Sequence, residues 1–371
     1  MLIVRLDEIG DVILTTPFFR ELRRNLPDAW ITLVVKPEVY NLVEICPYVN
    51  EVLTFNPKFT GPLPIVRRNW RLFWFALHHL WRRRFDLAIL PRWDTDFYHA
   101  TYLLYFSGAP WRVGYSEKVN EGKKHRNKGY DYLLTCQLSN GRSKHEVEHN
   151  LNVIRYLRGL IRDQKTELWI NAKDEEFAKR ILDENGIASN DLLICLAPGA
   201  GAPKRVWPAN RFLELGKTLH EEYKAKFLIV GSAREKELGK KLEHLLSPFA
   251  LNMVGQTTLR QLTALLKCCR LYIGNDTGPM HIAGAVNVPI IGLSCHPKSG
   301  SSLSPNSPKR FGPWKVKHVI IQPEKPLAPC TKECIANEPH CIKAVTVEEV
   351  KRAVEMMLPK SKALEYRASY S

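Results

Sequence analysis

The most specific chemical signal in this 371-residue chain is the run DTGPMH at residues 276–281, directly after a predicted strand. Asp276 and Thr277 can cap a helix, and Gly278 keeps its entrance open, so backbone N–H groups and the threonine hydroxyl face an incoming anion. His281 follows one turn later on the same face. A single histidine is more often a core residue with satisfied hydrogen bonds, but within this pattern it predicts a diphosphate site.

A second anion-binding signal is the run APGAGAPKRVWP at residues 197–208, after the first predicted strand of the second half. Gly199 and Ala200 are small enough for backbone N–H groups to approach a phosphate, and Lys204 and Arg205 can neutralise its charge. The run could also be an ordinary loop with solvated cations. It is neither a Walker A motif nor Gly-x-Gly-x-x-Gly, which counts against an NTPase or a dehydrogenase.

Two weaker signals follow other predicted strands of the second half. Glu235 could accept hydrogen bonds from ribose hydroxyls, and Thr257 could border a nucleotide base. Taken alone, each of these residues is a helix cap or a turn residue.

The first half of the chain offers a lone carboxylate, Asp11, which follows an apolar run at residues 1–6 and the turn glycine Gly10. A carboxylate in such a place could remove a proton from a substrate hydroxyl. Asp11 could also be merely the N-cap of the helix predicted from residue 12 to 25. A Gly-Asp pair does not decide between the two.

Both halves of the chain alternate short apolar runs with helical patterns. The apolar runs continue without polar alternation, which is typical of parallel strands covered on both faces, and the helical stretches suit βαβ crossovers. We therefore predict an α/β protein with two Rossmann-like, doubly wound domains. Ligands of such sheets bind beyond the carboxyl ends of the strands, so the motifs are expected to face a cleft between the domains.

The predicted domain boundary lies near residue 170. Residues 1–170 are expected to form the N-terminal domain, residues 171–345 the C-terminal domain, residues 346–358 a last helix and residues 359–371 a basic tail. Thr346 is the predicted N-cap of the last helix.

In this order and on these elements, the motifs resemble those of glycosyltransferase family 9, the family of the ADP-heptose:lipopolysaccharide heptosyltransferases. The resemblance rests on the N-terminal IVRL…IGDV…TTP, the PGA…KR…WP stretch, the DTGxxH run and the segment CIKAVTVEEV at residues 341–350. It implies the GT-B architecture, in which two Rossmann-like domains face a central cleft and the second domain holds most of the donor.

The resemblance also implies an activity. The chain would be an inverting glycosyltransferase that moves a sugar from a nucleotide-diphosphate donor, with ADP-heptose favoured, to a lipopolysaccharide-core-like or other cell-envelope glycan. The implied general base is Asp11, and the implied donor-binding residues are Asp276, Thr277, Gly278 and His281, with Glu235 near the ribose.

The phosphate-binding lysine of this family usually stands directly before a short stretch of one residue and Trp-Pro. Here Val206 lengthens the spacing from Lys204, and Arg205 occupies the usual offset, so both remain candidates. An Asp-x-Asp pair at residues 94–96 lies in the first domain, away from the predicted diphosphate site, so we expect no metal requirement and no cofactor. Acceptor-side candidates are residues 92–96.

The balance of charge favours anionic partners. Lys and Arg number 54 against 38 Asp and Glu, a net charge of +16, which suits a phosphate, an anionic glycolipid or a membrane surface. Residues 67–84 place tryptophans at helical intervals among basic residues, as in a helix on an anionic membrane, although this apolar stripe could instead pack on the protein's own sheet.

The sequence offers little support for a nucleic-acid partner, a membrane span or secretion. It has no helix-turn-helix, zinc-finger or RNA-recognition signature, so we expect no nucleic-acid partner. With no run approaching the roughly 20 apolar residues of a membrane span and no cationic leader, the chain is expected in the cytoplasm, with peripheral contact to the inner membrane as the only membrane association.

Three of the nine cysteines, Cys330, Cys334 and Cys341, suggest a metal site. Intervals of three and six residues suit structural zinc poorly, and the fourth candidate ligand, His340, is adjacent to Cys341. A buried thiol cluster or a disulfide is the favoured expectation.

Two alternatives to sugar transfer remain open on the sequence. A nucleotide-sugar epimerase of the same architecture would use the donor without a glycosyl acceptor and interconvert UDP-sugars. A catalytically silent sugar-nucleotide-binding protein would show no turnover.

Overall fold

The computed structural model describes residues 1–58 and 64–358. The chain divides into two compact units, Met1–Trp169 and Ile170–Ser371. The predicted basic tail at residues 359–371 lies outside the described residues.

The first unit contains a parallel sheet of six strands. These strands are β1 (Leu2–Arg5), β2 (Thr32–Val35), β3 (Glu51–Thr54), β4 (Leu87–Leu90), β5 (Trp111–Tyr115) and β6 (Cys136–Leu138). The helices are α1 (Ile9–Ile13), α2 (Thr16–Asn25), α3 (Pro37–Val43), α4 (Pro64–His79), α5 (Thr101–Phe106), α6 (Glu121–Arg126) and α7 (Glu146–Tyr156). The strand order is β3-β2-β1-β4-β5-β6.

The second unit repeats this plan. Its strands are β7 (Leu193–Ala197), β8 (Lys226–Ile229), β9 (Ala250–Asn252), β10 (Leu271–Asn275), β11 (Ile290–Leu293) and β12 (His318–Ile321). Its helices are α8 (Ala172–Glu184), α9 (Ala209–Tyr223), α10 (Lys236–Leu246), α11 (Leu259–Lys267), α12 (Gly278–Ala285), α13 (Pro308–Phe311) and α14 (Val347–Met357). The strand order is β12-β11-β10-β7-β8-β9.

The central strands of both sheets are buried on both faces. Consecutive side chains of a strand point to opposite faces, and all four residues of β1 and all five of β7 are buried. Side chains from other elements must therefore cover each face, as in doubly wound folds. The predicted fold class, α/β with two doubly wound sheets, is confirmed.

The strand orders locate where ligands should bind. In each sheet, successive strands are added first on one side of the starting strand and then on the other. This reversal lies between β1 and β4 in the first unit and between β7 and β10 in the second. Ligands of open parallel sheets bind beyond the carboxyl ends of the strands at this switch point. The loops after these four strands carry most of the candidate residues.

Some predicted elements have different limits in the structure. The helix predicted from residue 12 to 25 is two helices, because Thr15 begins α2 as its N-cap and Pro17 in the first turn has no N–H to continue the hydrogen-bond ladder of α1. No continuous apolar run in the sequence marks strands β5, β6 and β9, since β5 mixes Arg112 and Gly114 with apolar residues and the other two are only three residues long.

Helix α4 buries one face and exposes another. Leu72 and Ala76, with Leu80 directly after the helix, belong to the core of the first unit, whereas Trp70 and Trp74 are 61% and 40% exposed. The predicted tryptophan stripe therefore does not fill the core of its own unit. No helix in the described part of the chain is both long and apolar enough to cross a membrane.

Candidate functional site

The predicted diphosphate turn lies at the carboxyl end of β10. Thr277 is the N-cap of α12, which begins at Gly278 with Pro279 in its first turn. Pro279 has no N–H, and the N–H of Met280 already donates to the carbonyl of Thr277 at 3.1 Å. The groups of this terminus that remain for an anion are therefore the N–H groups of Thr277 and Gly278. The threonine hydroxyl, expected to be a further donor, instead forms a hydrogen bond with the phenol of the buried Tyr272.

Asp276 and His281 lie together beside this turn. His281 is buried, and its Nε2 is 3.9 Å from Oδ1 of Asp276. Burial raises the pKa of Asp276, and the positive charge of Arg205 opposes that rise. The predicted grouping of Asp276 with His281 on one turn thus exists in the structure, and Arg205 lies close enough to act on it.

Asn275, the last residue of β10, joins the two predicted phosphate loops. Its amide nitrogen donates to the carbonyl oxygens of Pro198 at 2.8 Å and Gly199 at 3.2 Å. Its amide oxygen accepts the backbone N–H of Trp207 at 3.1 Å. One buried side chain therefore fixes both ends of the loop after β7 against the turn after β10.

The two basic candidates of this loop have different partners. The Nζ of Lys204 donates to the carbonyl oxygen of Cys334 at 2.8 Å. Arg205 instead acts electrostatically on the carboxyl group of Asp276. Of the two, Arg205 is the side chain associated with the diphosphate turn.

Gly199 lies directly against Glu235. A Cβ atom on Gly199 would come within 2.6 Å of Cγ and 2.7 Å of Cδ of Glu235, so only glycine fits there without displacing that side chain. Glu235 follows β8, and its Oε2 accepts hydrogen bonds from the N–H and hydroxyl of Ser232 at 2.7 and 2.5 Å. The carboxylate is thereby oriented by a helix cap and packed on the loop that follows β7.

The remaining donor-side candidates lie on the neighbouring loops. Ala200 is partly exposed in the loop after β7, beside Gly199. Thr257 is partly exposed directly before Thr258, the N-cap of α11. The loop of Thr257 meets the loop of Glu235, because the N–H of Gly255 donates to the carbonyl of Gly231 at 3.0 Å.

In the first unit, Asp11 is the third residue of α1, whose N-cap is Glu8. Its carboxylate accepts the N–H of Glu8 at 3.3 Å, so it takes part in a capping box without being the N-cap itself. The alternative that Asp11 is merely the N-cap is therefore wrong. Its side chain is 18% exposed, and its Oδ1 lies 3.8 Å from Nη2 of Arg5.

Asp11 belongs to a cluster of three carboxyl and two guanidinium groups. Arg5 lies 3.2 Å from Asp7 and 2.9 Å from Glu146, and Arg92 pairs with the other oxygen of Asp7. Fully ionised, the cluster carries one excess negative charge. Burial first, and then the charge of Asp7, raise the pKa of Asp11 to about 6 against the attraction of Arg5 and Arg92.

The acceptor-side candidates at residues 92–96 divide into two groups. Trp93 is fully buried and stacks on His149 with ring centroids 4.4 Å apart. Asp96 accepts hydrogen bonds from the backbone N–H groups of Ala100 and Thr101, both at 2.9 Å. These two residues have structural roles, whereas Arg92 belongs to the carboxylate cluster.

Three cysteines and a histidine form a separate cluster in the second unit. One ligand atom from each of Cys330, Cys334, His340 and Cys341 lies within 4.8 Å of the others. All three thiols are free and buried, so the predicted thiol cluster, and not a disulfide, is what the structure contains.

Sequence reasoning missed several residues that organise these sites. Asn275 directly precedes the predicted turn, and a polar residue at the end of a buried strand was the available signal. Asp7 stands four residues before Asp11 and could have been found in the same way. Glu146 is 141 residues from Arg5 along the chain, and nothing local indicates that they meet.

Comparison of the sequence with known proteins identifies one family. The sequence model described as Glycosyltransferase family 9 (heptosyltransferase) matches residues 74–340. Lipopolysaccharide heptosyltransferase 2 of Salmonella typhimurium is 26% identical over 326 residues, which is 85% of this chain and 85% of that protein.

Solved structures show a shared fold. A family 9 glycosyl transferase from Veillonella parvula superposes with a TM-score of 0.76 at 22% identity, covering 96% of both chains. The ADP-heptose LPS heptosyltransferase II of E. coli superposes with a TM-score of 0.70 at 21% identity, covering 97% of this chain and 99% of that one. The expected GT-B fold class is confirmed by this likeness.

Proposed function

Because the chain belongs to glycosyltransferase family 9, the heptosyltransferase family, we propose that it transfers heptose from ADP-heptose to a lipopolysaccharide-core-like glycan with inversion at the anomeric carbon. The observation that carries the proposal is the junction made by Asn275. Its hydrogen bonds hold the small-residue loop after β7 against the turn that opens α12. The two predicted sets of anion-binding groups are thus held together at one switch point, which supports a diphosphate site there.

The diphosphate is proposed to bind at the start of α12. The N–H groups of Thr277 and Gly278 donate to its oxygens, and Arg205 neutralises the negative charge that gathers on the leaving group. His281 and Asp276, which lie beside this turn, hold it in position. Lys204, which is engaged by the carbonyl of Cys334, supports the loop.

The nucleoside is proposed to extend along the loops after β8 and β9. Glu235 accepts hydrogen bonds from the ribose hydroxyls with the oxygen that Ser232 leaves available, and Thr257 borders the base. Gly199 and Ala200 keep the intervening loop small enough for the phosphates to approach its backbone.

Asp11 is proposed as the general base. Its carboxylate takes the proton of an acceptor hydroxyl while that oxygen forms a bond to the anomeric carbon and the bond to the diphosphate oxygen breaks. ADP departs from the opposite face with the bonding electrons, so the configuration inverts. The raised pKa of Asp11 makes it a stronger base than an ordinary aspartate and leaves it ionised at neutral pH.

Charge stabilisation by backbone donors and Arg205 makes a divalent metal unnecessary for the transfer step. We therefore propose metal-independent chemistry, with turnover that needs no added magnesium or manganese. No organic cofactor takes part in the proposed steps.

The acceptor is proposed to be an anionic glycolipid or glycan at the inner face of a membrane. Support comes from the exposed tryptophans of α4 and from Trp81 in the following turn, which is 55% exposed. Exposed arginines flank these rings at Arg67, Arg71 and Arg82. Aromatic rings beside cations suit the headgroup region of an anionic membrane, so we place the enzyme in the cytoplasm with peripheral membrane contact.

The test is a donor screen followed by product analysis. ADP-, UDP-, GDP- and CDP-sugars are compared by thermal shift, and the best donor is incubated with lipopolysaccharide core acceptors. We expect ADP-heptose to stabilise the protein most and the product to carry one added heptose of inverted configuration. Retention of configuration, or interconversion of UDP-sugars without an acceptor, would contradict the proposal. The epimerase alternative is not favoured, because the matching family and curated relatives are heptosyltransferases.

A further inference from the structure

Four metal-ligating side chains converge on the segment between β12 and α14. The Sγ atoms of Cys330, Cys334 and Cys341 and a ring nitrogen of His340 all lie within 4.8 Å of one another. The three cysteines are buried and their thiols are free. The proposed sugar transfer uses none of these four groups.

The distances from His340 to two of the thiols fit tetrahedral zinc. Zn–S bonds of about 2.3 Å and Zn–N bonds of about 2.0–2.1 Å place neighbouring ligand atoms about 3.5–3.8 Å apart at tetrahedral angles. The Nδ1 atom of His340 lies 3.6 Å from Sγ of Cys330 and 3.4 Å from Sγ of Cys341. Nδ1 is therefore the ring nitrogen directed at the cluster.

We propose that Cys330, Cys334, Cys341 and His340 bind one structural Zn²⁺ ion. Three thiolates with one imidazole are a donor set that zinc favours, and they fill all four tetrahedral positions. A filled coordination shell leaves no position for water or substrate, so the ion stabilises structure and takes no part in the transfer chemistry. The adjacency of His340 and Cys341, which looked unfavourable in the sequence, is accommodated because both side chains reach the same centre.

A metal cross-link would stabilise the segment that surrounds this cluster. Residues 322–346 connect β12 to α14, and among the described residues their regular structure is limited to the 3-10 turn Cys341–Ala344. Long irregular segments in compact domains have few backbone hydrogen bonds to hold them. Zinc bound at both ends of the interval from Cys330 to Cys341 would restrict it, and the binding free energy would add to that of folding.

The same segment supports the loop that carries the phosphate-binding candidates. Lys204 donates to the carbonyl oxygen of Cys334, a proposed zinc ligand, at 2.8 Å. The indole N–H of Trp207 donates to the carbonyl oxygen of Val345 at 2.8 Å. Zinc would thus fix the segment at residues 322–346, on which the loop at residues 198–208 is anchored. Loss of zinc should make that loop more mobile.

The direct test is the metal content of the full-length protein. The chain is purified without a metal-affinity tag from cells grown in zinc- and iron-containing medium, and its bound metals are measured by mass spectrometry after acid digestion. We expect about one zinc per chain. The variants Cys330→Ala and Cys341→Ala should lower zinc content about tenfold or more, since each leaves an incomplete ligand set.

A matched control is Cys46→Ala in the first unit. Cys46 is buried to nearly the same extent as Cys330, with 5% and 6% of their surfaces exposed, so its truncation perturbs packing without touching the cluster. We expect Cys46→Ala to keep its zinc. Loss of zinc in this control as well as in Cys330→Ala would mean that the loss follows disturbed packing and not removal of a ligand, and would overturn the assignment.

A spectroscopic signature guards against variants that fail to fold. Replacement of zinc by Co²⁺ in the wild-type chain should give thiolate-to-cobalt charge-transfer bands and the strong visible bands of a tetrahedral site. In His340→Cys, which keeps four ligands, metal should be retained and the bands should shift. Iron in place of zinc, a disulfide among the three cysteines, or no bound metal in the wild-type chain would each overturn the proposal.

The consequence for the donor loop rests on the proposed function and is measured separately. Zinc-depleted protein should bind ADP about tenfold more weakly than zinc-loaded protein, by analogy with the tenfold to hundredfold effects of groups that orient a site indirectly. The metal measurement needs neither donor nor acceptor. Failure of the heptosyltransferase assignment would therefore leave the zinc result standing, and the reverse is equally true.

Discussion

Nη2 of Arg5 lies 3.8 Å from Oδ1 of Asp11, yet the pKa of Asp11 is raised to about 6. Arg5 lowers this pKa, but burial and the charge of Asp7 outweigh it. The closer contacts of Arg5 are with Asp7 and Glu146, at 3.2 and 2.9 Å. Asp11 is left with the cost of burial and with the repulsion of Asp7. The cluster thus holds a carboxylate in place while keeping it basic, which is what proton abstraction from a hydroxyl needs.

Replacing Asp11 by Asn should abolish most turnover. The amide keeps the size of the side chain but cannot accept the proton, and loss of a placed base typically costs ~10²–10⁴-fold in rate. ADP binding should stay within about twofold of wild type, because Asp11 lies in the first unit and the donor groups lie in the second. Single-turnover kinetics and calorimetry measure the two effects. Unchanged turnover would remove Asp11 from the mechanism.

The rate should depend on pH through the same carboxylate. The proposed base works only when ionised, so kcat/KM, which reports the free enzyme, should fall as the pH drops through about 6, approaching tenfold per pH unit below it. An aspartate at its ordinary pKa of 3.8 would give a flat profile down to about pH 4. A profile that is flat between pH 7 and 5 would contradict the role of the cluster.

Asp7→Asn should move this acid limb to lower pH. Removing the charge of Asp7 relieves repulsion on Asp11 and leaves Arg5 and Arg92 less neutralised, and both changes lower the pKa of Asp11. The exposed Asp28→Asn serves as the charge-matched control and should leave the profile unchanged. Circular dichroism checks that the Asp7 variant is folded, since it loses two ion pairs.

The fold could be predicted from sequence because its core strands are continuous apolar runs. β1, β7 and β10 are buried in full, and a run without polar alternation distinguishes a covered parallel strand from one with a wet face. The short outer strands β6 and β9 escaped detection. Three residues carry too little periodicity, and their place is fixed by pairing with β5 and β8.

The site was predictable to the extent that it is local in sequence. The turn at residues 276–281 and the loop at residues 197–208 each carry several signals within one short run. The contacts that join them are not local: Asn275 meets Gly199 across 76 residues, and Arg5 meets Glu146 across 141. Such pairs are determined by strand order, which a single sequence does not encode in any one segment.

The choice between Lys204 and Arg205 can be tested by paired truncation. Arg205→Ala should lower kcat about 10²–10³-fold, since Arg205 is proposed to neutralise the charge on the leaving group. Lys204→Ala should have a smaller effect on rate, because its amine already serves the carbonyl of Cys334. The exposed Arg234→Ala controls for the loss of one positive charge. A larger rate loss for Lys204→Ala would reverse the assignment.

The contact between Gly199 and Glu235 predicts that alanine substitution will affect one glycine of this loop and not another. In Gly199→Ala the new methyl would lie 2.6 Å from Cγ of Glu235 and must displace that carboxylate. The KM for the donor should rise about tenfold, as expected when a charged hydrogen bond worth ~1.5–3 kcal/mol is disturbed. Gly201→Ala places its methyl where nothing lies within 4 Å, so its kinetics should match wild type. Equal effects of the two substitutions would exclude Glu235 from the donor site.

A second exposed tryptophan can distinguish membrane binding through α4 from nonspecific hydrophobic adsorption. Trp70→Ala should reduce flotation with vesicles containing anionic lipid several-fold, because its ring is 61% exposed among arginines and would enter the headgroup region. Trp111, which is 60% exposed at the start of β5, provides the matched control. Trp111→Ala should float like the wild-type protein. Neither Trp111→Ala nor the wild type should bind neutral vesicles, or anionic vesicles in high salt. Equal loss in both variants, or no flotation of the wild-type chain, would mean that the stripe on α4 serves a purpose other than membrane binding.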